Sequence, residues 1–263
     1  MKSLWRDVRD IYGSAWAFAL ACPLLFLVPV LFEFAQHVIE VRIGLYQSAD
    51  MARALENDGA RMMAGYWKTL AISLPSYWMY RYVASGRDAA FARRPDGRAL
   101  LLWAALFVPL VALMQWLALF GPPLGSVIGL NGSAESWAKG LLTLFQTVVG
   151  IYLTAWLVAW SLGNAAIGPL RSVAIMNGSF WRTVALIIAG VVPLMALHYG
   201  GLFAIGRPEP LVWAIMVFDA IVVGFLSLTI FGANAIAAMR AAERKGVSLM
   251  PVDEERRAAA MPA

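Results

Sequence analysis

Five polar side chains stand within or at the ends of long apolar runs: Glu33, Lys68, Gln115, His198 and Asp219. A carboxylate, an ammonium, an amide and an imidazole of this kind can hold an ion, pass a proton or clamp two helices together. Each charged group placed in a bilayer costs about 2.5–3.5 kcal/mol on insertion scales, so such groups face the bundle interior and pair. His198 lies nine residues before Arg207 and Asp219 nine residues after Pro210. On two helices joined by the turn Arg207-Pro208-Glu209-Pro210, a constant rise per residue puts them at the same depth. The expected pairs are His198 with Asp219 and Glu33 with Lys68, and all five residues fall in one outer third. They make either an outward-opening polar cavity for a ligand or ion, or clamps in a closed bundle and side chains that snorkel to the interface.

Other chemistry has little to work with. The sequence holds no HExxH, no P-loop, no G-x-S-x-G and only two histidines, so no catalytic residue is expected. Cys22 is the single cysteine, which rules out an internal disulfide and a thiolate metal cluster. Neither a metal nor a cofactor is expected.

The elements that must position these groups are helices in a membrane. Of 263 residues 61% are hydrophobic and 14% charged, far below the roughly 25% charged of soluble domains, and the mean hydropathy is +0.69. Six apolar runs, about 15–36, 62–84, 99–120, 137–162, 183–206 and 211–239, are each long enough to cross a bilayer. The expected fold is all-α: a polytopic bundle of six transmembrane helices forming one membrane domain over 1–240, followed by a tail, 241–263. Residues 37–61 read as the longest non-spanning piece, on the outer surface, with Ser48 as N-cap and Gly59 as C-cap of a short helix.

Lys and Arg alternate between the loops. Fifteen lie on one side and six, Arg42, Arg53, Arg61, Lys68, Lys139 and Arg207, on the other. The positive-inside rule then places both termini in the cytoplasm. This alternation also accounts for the net charge of +5 without a nucleic-acid partner. Segments 1–12, 87–98 and 171–182 read as basic amphipathic helices at the interface, where Arg87, Arg98, Arg171 and Arg182 are candidate contacts for anionic lipid headgroups, at about 1 kcal/mol each. Plain topology determination explains the same arginines.

Shifted by 84 residues, Arg87–Leu113 aligns with Arg171–Leu197 without a gap at 10 of 27 identical positions, including VPLVAL and VPLMAL. Repeated helical hairpins, each a basic interfacial helix, an outgoing span with a central proline and a return span, would produce that pattern. Those prolines, Pro29, Pro109 and Pro193, free the carbonyls of Leu25, Ala105 and Ala189.

The segment GPLRSVAIMNGSFWRTVALIIAGVVP (168–193), with Gly178-Ser179-Phe180-Trp181-Arg182 closing a basic helix before a span, resembles bacterial multi-span inner-membrane proteins related to the membrane domain of glycerophosphodiester phosphodiesterases. The resemblance covers about a tenth of the chain and carries over no catalytic residue. It implies a scaffold or accessory role in envelope or lipid processes, with the bilayer and other membrane proteins as partners, and that is the first functional expectation. A small transporter or channel using the outward polar cluster is the second, and an intramembrane enzyme the third.

Overall fold

Proline lacks the amide hydrogen that a helix interior uses, and three prolines decide where helices in this chain begin. In this computed structural model, which describes residues 2–122 and 124–251, the first helix is α1 (Lys2–Ala21) and the second α2 (Pro23–Arg42). Between them Cys22 leaves helical geometry at φ −132° and ψ 58°, and Pro23 takes the first position of α2. The run expected as one span over 15–36 is therefore cut at Cys22, and the helix that follows extends to Arg42.

The short helix α3 (Ala49–Ala54) is capped by Ser48, whose hydroxyl accepts from the Met51 amide at 3.2 Å. Gly59, expected to end it, instead begins α4 (Gly59–Ser73), because the Asp58 carboxylate accepts from the amides of Ala60 and Arg61. At Leu74-Pro75 the chain breaks again into α5 (Ser76–Ala84), so residues 62–84 are two helices, each shorter than 18 residues. The chain continues through α6 (Ala89–Arg93), α7 (Gly97–Phe107), a π-helical segment (Val108–Leu113), α8 (Met114–Phe120) and α9 (Leu124–Ile128). It ends with α10 (Gly132–Ser161), α11 (Pro169–Met176), α12 (Phe180–Tyr199), a 3-10 turn (Gly200–Ala204) and α13 (Glu209–Arg244). The expected tail starts inside α13, and its residues 252–263, with Arg256 and Arg257, lie outside the described residues.

Among the described residues there is no strand, and five helical stretches are long and apolar enough to cross a membrane: Pro23–Arg42, Gly97–Phe120, Gly132–Ser161, Phe180–Ala204 and Glu209–Arg244. Leu24, Leu31, Leu141, Phe145 and Ile188 are exposed on them, as are Trp16, Trp67, Trp137 and Trp181 near the ends of the expected spans. Water penalises such a surface and lipid does not.

The chain divides into two compact units, residues 1–94 with 185–236, and residues 95–184 with 237–263. In the first, α2 packs along α4 and α1 against α2 and α5. The α12–α13 contact is close because Gly190 lies against Thr229 and Ala233, where an added Cβ would stand 3.2 Å from each. Gly224 receives Val30 and Phe26, and a Cβ there would come within 2.5 Å of the Val30 side chain. Ser227 donates to the Ile72 carbonyl at 2.6 Å, beside the break at Pro75. The carbonyl of Ala189, which Pro193 deprives of its helical donor, accepts instead from the Tyr12 hydroxyl at 2.7 Å.

In the second unit α10 packs against α7 and α11. There the Ser172 hydroxyl enters the backbone ladder of α10, donating to the Tyr152 carbonyl at 2.7 Å and accepting from the Trp156 amide at 3.0 Å. Pro109 is accommodated in the π-helical segment, whose wider turn absorbs the missing donor.

The Gly224 contact gives a direct test. Gly224→Leu overpacks the α2–α13 contact and should destabilise the purified protein by about 1–3 kcal/mol, read as a lowered melting temperature in detergent. Gly150→Leu, where a Cβ meets nothing within 4 Å, should leave it unchanged.

Candidate functional site

Four polar residues of α2, Glu33, Gln36, His37 and Glu40, recur at i, i+3, i+4 and i+7, so one face of an otherwise apolar helix is hydrophilic. That face is turned inward, since all four are buried. Opposite it α4 supplies Arg61 and Lys68, α12 supplies His198 at its last turn, and α13 supplies Asp219. Together with Tyr46 from the turn after α2, these side chains line a cavity of about 170 Å³, room enough for several waters.

His37 is the centre. Its Nε2 lies 2.9 Å from Asp219 Oδ2 and 3.3 Å from Glu33 Oε1, while its Nδ1 lies 3.0 Å from Glu40 Oε2 and 3.2 Å from the Tyr46 hydroxyl. Asp219 also meets His198, whose Nδ1 is 2.9 Å from both carboxylate oxygens. Lys68 Nζ is 3.2 Å from Glu33 Oε2. Lys68 Nζ also donates to Glu33 Oε1 at 3.3 Å, while Glu33 Oε2 and Gln36 Oε1 are buried oxygens that accept no hydrogen bond among the described residues.

Glu40 is committed differently. Its Oε1 accepts from Gln36 Nε2 at 2.8 Å and Arg61 Nε at 2.9 Å, and its Oε2 accepts from the Tyr46 hydroxyl at 2.6 Å. Burial first, and then the negative charges of Glu40, Asp219 and Glu33, push the Tyr46 phenol well above its ordinary range, so its oxygen keeps its proton and donates. Three carboxyl groups, Glu33, Glu40 and Asp219, thus share the cavity with Arg61, Lys68 and the two imidazoles.

His198, Asp219, Glu33 and Lys68, the two pairs expected from the sequence, meet in this one cavity. Gln115 stands half-buried on α8 and is not among its lining residues. Among the candidate headgroup contacts Arg98 and Arg171 are exposed. Arg171 also donates to the Ala166 carbonyl at 3.4 Å. Arg87 reaches back to α1, with Nε 3.1 Å from Ser14 Oγ and Nη2 3.5 Å from Asp10 Oδ1. Arg182 is half-buried near the start of α12. Sequence reasoning missed His37, Glu40 and Gln36, which it assigned to or beside an outer loop. The polar spacing over 33–40 was the signal that marks them as one helical face.

Comparisons with protein-family models, curated proteins and solved structures give no match to this chain. What fold and site define is a class: among the described residues, an all-helical protein with five helices long and apolar enough to cross a membrane and a buried cavity lined by charged and polar side chains.

Glu40→Ala would take from Gln36 Nε2, the Tyr46 hydroxyl and Arg61 Nε the carboxylate that they share. Losing one partner of a buried charge pair costs about 3–5 kcal/mol, so this variant should unfold at markedly lower temperature in detergent. Asp50→Ala, which removes an ion pair whose two side chains are 78% and 93% exposed, should not change it.

Proposed function

We propose that this chain is a small cation-binding transporter or channel of a bacterial inner membrane, working through the cavity around His37. The observation that carries the reading is the gathering of Glu33, Glu40, Asp219, His37 and His198 around one space that reaches solvent at its rim, where the His198 side chain is 23% exposed. Clamps scattered between helices would satisfy each charge separately and would not need a shared cavity. The breaks at Cys22 and Leu74-Pro75 support the same reading, because discontinuous helices commonly frame the ion sites of transporters.

In this proposal the chain crosses the bilayer six times. The sixth crossing is α4 and α5 taken together, a helix interrupted at Pro75, and both termini are cytoplasmic. The 84-residue repeat belongs to the proposal as its internal symmetry, and exposed Arg98 and Arg171 as contacts for anionic headgroups at the cytoplasmic face. The resemblance of 168–193 to membrane domains of glycerophosphodiester phosphodiesterases favours the second reading, an accessory scaffold in envelope or lipid processes.

Thiol labelling separates the two. With Cys22 replaced by Ala, His198→Cys should react with a charged, membrane-impermeant reagent added outside intact cells. Leu31→Cys, exposed on the other side of α2 and facing lipid, should not. Failure of His198→Cys to react from either side of the membrane would remove the water-accessible cavity and leave the scaffold. A phosphatase reporter fused after Ala263 should be inactive and a cytoplasmic reporter active; the reverse result would invert the topology.

A further inference from the structure

We infer that the cavity binds a divalent first-row transition-metal ion, of the Zn²⁺, Mn²⁺ or Fe²⁺ type, through Glu33, His37 and Asp219. This deepens the cavity reading above and rests on it. One ligand atom from each of the three residues lies within 4.8 Å of the other two, and all three residues are buried. An ion with bonds of about 2.0–2.2 Å holds neighbouring ligand atoms roughly 3–3.5 Å apart. The 2.9 Å and 3.3 Å from His37 Nε2 to Asp219 and Glu33 already fall at that spacing. Only the two carboxylates must draw together.

The other ring nitrogen makes the case specific. A ligating histidine turns its second N–H toward a carboxylate that fixes tautomer and orientation. Here His37 Nδ1 meets Glu40 Oε2 at 3.0 Å, and Glu40 is itself held by Gln36, Arg61 and Tyr46. With three donors already on it, Glu40 is an acceptor for Nδ1–H. His37 Nε2 is then the ring nitrogen left to face the Asp219 and Glu33 oxygens, at 2.9 Å and 3.3 Å. A proton on Nε2 can lie along only one of those two directions, and Glu33 Oε1 then relies on Lys68 Nζ at 3.3 Å. A metal ion serves both.

The donor set also selects the metal. One imidazole with two carboxylates suits borderline divalent ions, whereas Mg²⁺ and Ca²⁺ prefer all-oxygen sites and Cu⁺ prefers sulfur. Cys22 is packed among Phe18, Met79 and Leu228 and takes no part. His198 Nδ1, 2.9 Å from Asp219, stands at the rim as a further ligand or as a partner that orients Asp219. Lys68, beside Glu33, is the internal cation that an arriving metal must displace.

The test uses the full chain purified in mild detergent without a histidine tag and stripped with a chelator. Co²⁺ is titrated in as an optical probe and Zn²⁺ and Mn²⁺ by calorimetry. Expected are one equivalent of Co²⁺ with a visible d–d band, displacement by Zn²⁺, and no displacement by millimolar Mg²⁺ or Ca²⁺. His37→Gln and Asp219→Asn should abolish the band, and Glu40→Gln should weaken binding about 10–100-fold. Size-exclusion profiles matching the wild type show that each variant is folded. A folded wild-type protein that binds no stoichiometric Co²⁺ overturns the inference, as does a His37→Gln variant that binds it unchanged. If His198→Cys is still labelled from outside in that case, the cavity reading stands with a proton as its cation. If it is not labelled, both fall.

Discussion

A carboxyl group inside hydrocarbon needs a counter-charge or donors in reach, and this chain places three of them on two largely apolar helices. Glu33 and Glu40 come from α2 and Asp219 from α13, so neither helix can settle without the other or without the cations of α4. The arrangement of the first unit follows from that requirement. Lys68 and Arg61 draw α4 along the polar face of α2, and His37 bridges the same face to Asp219 at 2.9 Å. Apolar packing then closes the contacts, with Gly224 admitting Val30 and Phe26 where a larger residue would hold α2 and α13 apart.

Backbone groups obey the same constraint. Each proline in an apolar helix strands a carbonyl, and in lipid water does not come to its aid. Here protein hydroxyls do that work, Tyr12 at Ala189 above Pro193 and Ser227 at Ile72 beside Pro75, and a third, Ser172, enters the ladder of α10, which has no proline. At Pro109 the helix widens into a π turn.

The helical class and most apolar runs were legible because hydropathy reports them directly. The pairing of His198 with Asp219 and of Glu33 with Lys68 was legible too, since equal depth follows from counting residues. The end of α2 was not. Gln36, His37, Glu40 and Arg42 lower the hydropathy of FEFAQHVIEVR until it reads as loop, although their spacing is that of one helical face looking inward. Gly59 was misread for a related reason: a glycine stops a helix or lies just inside a start, and only the Asp58 cap decides. At Pro75 the sequence shows that the helix is disturbed, but whether it bends or separates depends on whether a neighbour such as Ser227 takes the neighbouring carbonyl.

The hydroxyl of Tyr12 has a mechanical meaning as well. It is anchored on α1 and grips α12 at the point where Pro193 makes that helix easiest to bend. His198 lies five residues beyond the proline on the same rod. Any change of angle there must either break the Tyr12 bond or carry α1 with it, so one hydroxyl ties the first helix to the rod that ends in His198.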